Sequence, residues 1–214
     1  MTVVFDLNGT ITDPAAIGEP WALPELGGAV LESALQTAFA ETLTGAYHDL
    51  SEHVGAALRL QIARRSLDAE LTEQGLARAK QLPVFPEAGA ALDHLREHGQ
   101  RLAVLTNSGA DAGRATLEAA GLAEKFDAIR GVDAVRRFKP HPATYEHALE
   151  ALGERADTTF MVAAHAWDLA GARSAGLRTV WIARDPGGYP AVLPASEISA
   201  PDLLAAAQAI TASA

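Results

Sequence analysis

This sequence predicts an α/β fold, a doubly wound parallel sheet with a small all-helical segment inserted after the first strand. Three observations predict it. A hydrophobic Val3-Val4-Phe5 run near the start ends in a carboxylate, Asp6, and an Asn8-Gly9-Thr10 turn. From Phe85 onward, short apolar runs alternate with helical stretches that end in Gly. Between these regions the apolar spacing is helical throughout. Alternating strand–helix units bury both faces of a parallel sheet. With 214 residues, 49% hydrophobic and 21% charged, the chain can bury a full core and is too apolar to be disordered.

Taken in order, residues 3–5 form the first strand. Residues 13–21, rich in Pro and Gly, read as a linker. From about 26 to 81 the period is helical: Ala29, Val30, Ala34, Leu35 and Ala38 recur at three-to-four spacing, as do Leu58, Ile62 and Leu67. Gly45 and Asp49-Leu50-Ser51 break this stretch into helices, with Ser51 and Glu52 suiting a helix start. The expected division is therefore an α/β core of residues 1–14 and 83–214 and a helical insert of 15–82. In the core, a helix over 87–98 ends at Gly99, a strand over 101–105 follows, and a helix over 110–120 ends at Gly121. Then come a strand near 128–131, a helix over 143–152, a strand over 159–163, a helix over 168–175 and a strand over 178–182. One helix is expected over 200–214.

Charge and composition exclude several functions. The formal net charge is −10, and residues 1–58 hold eight Asp or Glu but no Lys or Arg. An acidic surface argues against nucleic acid as a partner. No 18-residue apolar run exists to span a membrane. The absence of cysteine excludes disulfides, thiolate metal sites and a Cys nucleophile. With a first strand beginning almost at once and no expected signal peptide, these features predict a cytoplasmic protein.

Four places carry the chemistry. Asp6 lies at a strand end, where open α/β sheets place their ligands; the weaker reading of this segment alone is an Asp that caps a turn. Thr106, in Leu-Thr-Asn-Ser-Gly, ends a strand just before a helix, where a hydroxyl and loop N–H groups can hold an anion; Thr106 or Ser108 serves equally as a plain N-cap. Lys139, in Arg-Phe-Lys-Pro-His-Pro, would lower the pKa of Asp6 if placed beside it; a lone Lys before Pro is otherwise a surface residue. The fourth place is Ala163-Ala164-His165-Ala166-Trp167-Asp168, followed by Gly171-Ala172-Arg173 and Gly176.

These motifs, in this order, resemble the haloacid dehalogenase superfamily, and the details resemble its L-2-haloacid dehalogenases. The resemblance implies a Rossmann-like core with a helical cap and Asp6 as a covalent nucleophile. It implies Thr10 and Thr106, with nearby loop N–H groups, as fixing the nucleophile or the substrate carboxylate, Lys139 as the counter-charge of Asp6 and Tyr145, in the Lys-Pro-x-x-x-x-Tyr spacing, as a residue shaping the site. Ala-Trp-Asp resembles the "SSNAWD" block of these enzymes, with Ala163 and His165 as departures. Asn107 would line the halide path, Asp168 with His165 would place or activate water, and Trp167 would pack nearby.

Phosphatases of the superfamily carry a second Asp where this chain has Asn8, and a Mg²⁺-binding Asp where it has Ala164. The implied activity is therefore metal-independent dehalogenation of short 2-haloacids to 2-hydroxy acids, with no metal and no cofactor. A small anionic halogenated acid is the expected partner, and a homodimer is compatible with the family. Alternatives are hydrolysis of another small substrate, phosphatase-like, or a non-catalytic binding protein of the same fold. The family supplies an Arg from the first cap helix, which residues 1–58 cannot. Neutral donors are expected instead: Asn107 together with Trp21, Tyr47, His48 or His165.

Overall fold

The computed structural model describes residues 1–184 and 187–213. Six strands form one sheet: β1 (Thr2–Phe5), β2 (Arg101–Thr106), β3 (Ala128–Gly131), β4 (Thr159–Ala163), β5 (Arg178–Ile182) and β6 (Ile198–Ala200). Their order is β3-β2-β1-β4-β5-β6, and every pairing is parallel. The chain winds outward from β1 to β3 and then crosses back to β4. This puts β1 at the centre, next to the switch in winding direction, where a crevice forms beyond the strand ends.

Alternation along each strand separates two cores. Val3, Phe5, Leu102, Val104, Phe160 and Val162 face one side. There they pack on Leu92 and Leu95 of α4 (Ala88–Glu97), Leu117 of α5 (Ala110–Ala119) and Leu203 and Ile210 of α8 (Leu203–Ala212). Val4, Ala103, Leu105 and Met161 face the other side. They meet Tyr145 and Leu149 of α6 (Pro142–Leu152) and Leu169 and Ala172 of α7 (Ala166–Ser174). The sheet is thus covered on both faces, as its continuous apolar strands require.

From Pro14 to Lys80 the chain adds helices and no strand: α1 (Glu25–Thr44), α2 (Leu50–Arg65) and α3 (Thr72–Lys80). Leu26, Val30, Ala34, Leu58 and Ile62 bury against one another. A second apolar cluster joins Leu31, Leu35 and Leu50 of this region to Val132 and Phe138 of the rest. Among the described residues, no helix is long and apolar enough to cross a membrane.

Two expectations are corrected. The segment read as a linker is a 3-10 helix, Pro14–Trp21: Asp13 accepts a hydrogen bond from the Ala15 amide at 2.9 Å, and Pro14 supplies the preset φ of a first helical residue. The final segment holds a strand as well as a helix. β6 has three residues and pairs only with β5, too short for its alternation to be visible in sequence. The helix begins at Leu203, where Asp202 accepts from the Ala205 amide at 2.8 Å; Ala214 lies outside the described residues.

Candidate active site

Asp6 directly follows β1, with Phe5 in register with Val104 of β2 on one side and Val162 of β4 on the other. The turns leaving β2 and β4 carry Thr106-Asn107-Ser108 and Ala164-His165. Parallel pairing therefore brings three distant segments to one end of the sheet, and the loop before α6 adds Lys139.

Both oxygens of the Asp6 carboxylate are held. Lys139 Nζ donates to Oδ1 at 2.8 Å, and Thr10 Oγ1 donates to Oδ2 at 2.7 Å. His165 Nδ1 lies 3.1 Å from the same Oδ2. Thr10 is itself fixed, since its hydroxyl oxygen accepts from the Ala164 amide at 2.9 Å. Lys139 Nζ also donates to Asp168 Oδ2 at 2.7 Å and to the Leu105 carbonyl at 2.8 Å, so its three protons have three acceptors. Asp168 Oδ1 in turn accepts from the Tyr145 hydroxyl at 2.6 Å. Lys139, Asp168 and Tyr145 are fully buried.

Burial by itself pushes the Asp6 carboxyl up, but the Lys139 charge and the His165 contact outweigh it and hold Asp6 well below the usual carboxylate range. Burial would likewise depress Lys139, yet the Asp168 and Asp6 carboxylates raise it, so it stays charged. Asp168 is raised, by burial first and by the neighbouring Asp6 charge, against the pull of Lys139. Burial and Asp168 also push the Tyr145 hydroxyl well up, keeping it a donor.

In front of Asp6 is an inner space of about 10 Å³, lined by Asp6, Asn8, Thr106, Asn107, His165 and Trp167 and by Leu31, Leu35 and Leu50 from the helical segment. That is room for about one water-sized group. Asn107 Oδ1 accepts from the Lys139 amide at 2.8 Å, leaving its buried Nδ2 without a protein partner. His165 stacks on Trp167 at 5.2 Å between ring centroids, and Phe39 meets the other ring of that pair edge-on. Gly9 is required beneath His165. Its φ is +84°, and a Cβ there would lie 2.8 Å from the imidazole Cε1.

The chain matches the description "haloacid dehalogenase-like hydrolase" over residues 1–176. The chain belongs to that family. A solved L-2-haloacid dehalogenase, 28% identical, superposes with a TM-score of 0.90 over 98% of this chain and 97% of that one. Haloacetate dehalogenase H-2 of Moraxella sp. (strain B) is 29% identical over 194 residues, 85% of each chain. Phosphoglycolate phosphatase of Cereibacter sphaeroides is 36% identical over 186 residues, 82% of each. Relatives named for both chemistries therefore match most of this chain.

Many members of this hydrolase family use Mg²⁺, and the residues here do not fit it. A hard dication needs several oxygen ligands. The Lys139 ammonium sits between Asp6 and Asp168, and the remaining oxygens of both bind Thr10, His165 and Tyr145. Ala164 contributes only its amide and carbonyl, and no group of three His, Cys, Asp or Glu suited to a metal occurs among the described residues. Asn8 is likewise committed to the loop, donating to Ser108 Oγ at 3.2 Å.

The structure brings together Asp6, Thr10, Lys139, Asn107, Thr106, Asn8, His165 and Trp167, but not all the expected residues. His48 is solvent-exposed and bound to Glu41 at 2.6 Å, because the α1–α2 turn carries it away from the strand ends. Trp21 donates to the Asp68 carbonyl, and Tyr47 stacks on Phe138, so neither reaches the inner space. Tyr145 and Asp168 do not line the inner space and reach Asp6 through Lys139. Thr106 accepts from the Ser108 amide at 3.1 Å, the role of a turn cap.

Arg184 was not foreseen. It donates to the Thr10 carbonyl at 3.0 Å and to Glu87 at 2.7 Å while lying 3.4 Å over the Phe85 ring, bracing the loop that carries Thr10. Its place just after β5 is the one sequence signal that could have marked it.

Proposed function

We propose that the chain cleaves the carbon–halogen bond of small 2-haloacids without a metal, through an ester on Asp6, and releases 2-hydroxy acids. The observation that carries this is the state of Asp6. It is a buried, ionised carboxylate with one lysine as counter-charge, facing a space for one small group, with Asn8 and Ala164 where the phosphatase pattern has its two further Asp residues. Phosphate ester hydrolysis needs its phosphoryl charge neutralised and its leaving alkoxide protonated. A halide leaves as a stable anion and needs only hydrogen-bond donors.

One Asp6 oxygen attacks C2 on the face opposite the halogen. The new C–O bond forms as the carbon–halogen bond breaks, the halide keeps the electron pair, and C2 inverts. Lys139 and Thr10 keep the carboxylate ionised and aimed. Asn107 Nδ2 supplies the donor for the halide in the inner space. The N-termini of α5 and α7, both ending at the site, favour the substrate carboxylate.

Water then attacks the Asp6 carbonyl carbon. Because ionised Asp6 only accepts hydrogen bonds, His165 presents Nδ1–H to it, and Nε2 is the ring nitrogen that takes the water proton. The acyl C–O bond breaks as the imidazolium returns its proton to the leaving alkoxide, the hydroxy acid departs, and Asp6 loses the second water proton to solvent and is regenerated as a carboxylate. Asp168 and Tyr145 act one step back, by positioning Lys139. Residues 15–82 serve as a cap over the strand ends. The same reading puts the protein in the cytoplasm, and a homodimer is compatible with it.

The test is halide release from fluoro-, chloro- and bromoacetate and from both 2-chloropropionate enantiomers, with the configuration of the lactate recorded. Release with inversion supports the reading. Retention of configuration, or no release alongside vigorous phosphatase activity, overturns it.

A further inference from the structure

A larger cavity, about 910 Å³, opens outside the inner space, and the two meet along Leu31, Leu35, His165 and Trp167. A haloacetate would leave most of it empty, since cavities of this size hold drug-sized ligands. Its walls are largely apolar: Phe39, Phe85, Trp181 and Leu193 contribute. Its charges are unbalanced. Asp13 and Glu32 line it as carboxylates, Glu32 on the exposed face of α1. The cation of the lining, Arg184, is already neutralised by Glu87. The cavity therefore offers apolar burial next to the reacting carbon and a negative rim.

Resting on the dehalogenase reading above, we propose that this outer cavity binds the C2 substituent of the substrate. The preferred substrates are 2-haloacids bearing an extended alkyl or aromatic group that is not anionic. Glu32 is the residue that rejects a second negative charge. Each methylene buried there improves binding about three- to fourfold. Because the added methylenes at the far end of the substituent are remote from the bond being broken, their gain falls in KM and leaves kcat level.

Gly28 provides a probe. It lies on α1 in the cavity lining, and a Cβ there meets nothing within 4 Å. Gly28→Trp can therefore fill the cavity from an unstrained helical position.

The experiment measures KM for 2-bromopropionate, 2-bromohexanoate, 2-bromooctanoate and 2-bromosuccinate. KM should fall steadily with chain length, by about 200-fold or more from three to eight carbons. Gly28→Trp should collapse that ratio toward one. Bromosuccinate should be the poorest substrate, and Glu32→Gln should improve it about fivefold, the effect of one like charge a few ångströms away in water, while barely moving bromohexanoate. A KM that is flat or rises with length while bromopropionate is turned over overturns the inference and leaves the dehalogenase reading intact. If no bromoacid releases bromide, the dehalogenase reading fails, and the cavity is then judged by tryptophan fluorescence. Tighter binding of 2-hydroxyoctanoate than of lactate supports it, and equal binding overturns it.

Discussion

Lys139 Nζ lies 2.7 Å from Asp168 Oδ2, with both side chains fully buried. Asp168 thus holds the lysine that in turn holds Asp6. Replacing Lys139 by Met leaves two buried carboxylates with no cation, at a cost of about 3–5 kcal/mol. The pH dependence follows from the directions of the shifts. Lys139 is raised, so its contribution is complete below the ordinary lysine value of 10.5 and is lost as pH rises past it. Asp6 is lowered, so its contribution is present above 3.8 and is lost as pH falls below that. Denaturant melts of wild type and Lys139→Met should differ most near neutrality and converge above pH 10.5. A constant difference across that range would remove Lys139 from this role.

Asp6→Asn should lower turnover by at least about 10³-fold with little change in fold, because the carboxylate forms the covalent bond. A single turnover of wild type in ¹⁸O water should put label into Asp6 before any enters product, as read by peptide mass spectrometry. Label found first in the hydroxy acid would mean that water attacks C2 directly.

His165→Gln should separate the two half-reactions. Alkylation of Asp6 proceeds while ester hydrolysis slows about 10²-fold or more, so an adduct with the mass of the substrate's carboxyalkyl group accumulates on the intact protein. Equal slowing of halide release and hydroxy acid formation, with no adduct, would assign His165 to the first step instead.

Chelator should leave halide release unchanged, and Mg²⁺ should not stimulate it, since the Asp6 and Asp168 oxygens are already taken by Lys139, Thr10, His165 and Tyr145. Nitrophenyl phosphate should be hydrolysed poorly. Strong Mg²⁺-dependent release of nitrophenol would favour the phosphatase relatives.

Gly9→Ala should destabilise by about 1–3 kcal/mol and lower activity disproportionately, because the new methyl meets both a left-handed backbone and the His165 ring. A crystal structure of the variant with His165 unmoved would contradict the close contact.

The sheet and most of its helices were legible in the chain itself. Val3-Val4-Phe5, 159–163 and 178–182 are apolar runs bounded by helical periods, and those patterns dictate a parallel sheet wherever the rest of the chain goes. Asp6 and His165 could be placed at strand ends for the same reason. What pattern could not supply was distance. Asp6 and Asp168 share the Lys139 ammonium only because α6 and α7 pack on the same face of the sheet, where a Cβ on Gly171 would strike the Tyr145 hydroxyl at 2.7 Å. His48 has the right chemistry for the site, but the α1–α2 turn points it at Glu41 and solvent. Glu32 carries no local signature, and Arg184 carries only its place just after a strand. Local sequence sets which faces are apolar and where strands end. Which polar groups share a cavity depends on how the helices pack over those ends, and that is decided by contacts between residues far apart in the chain.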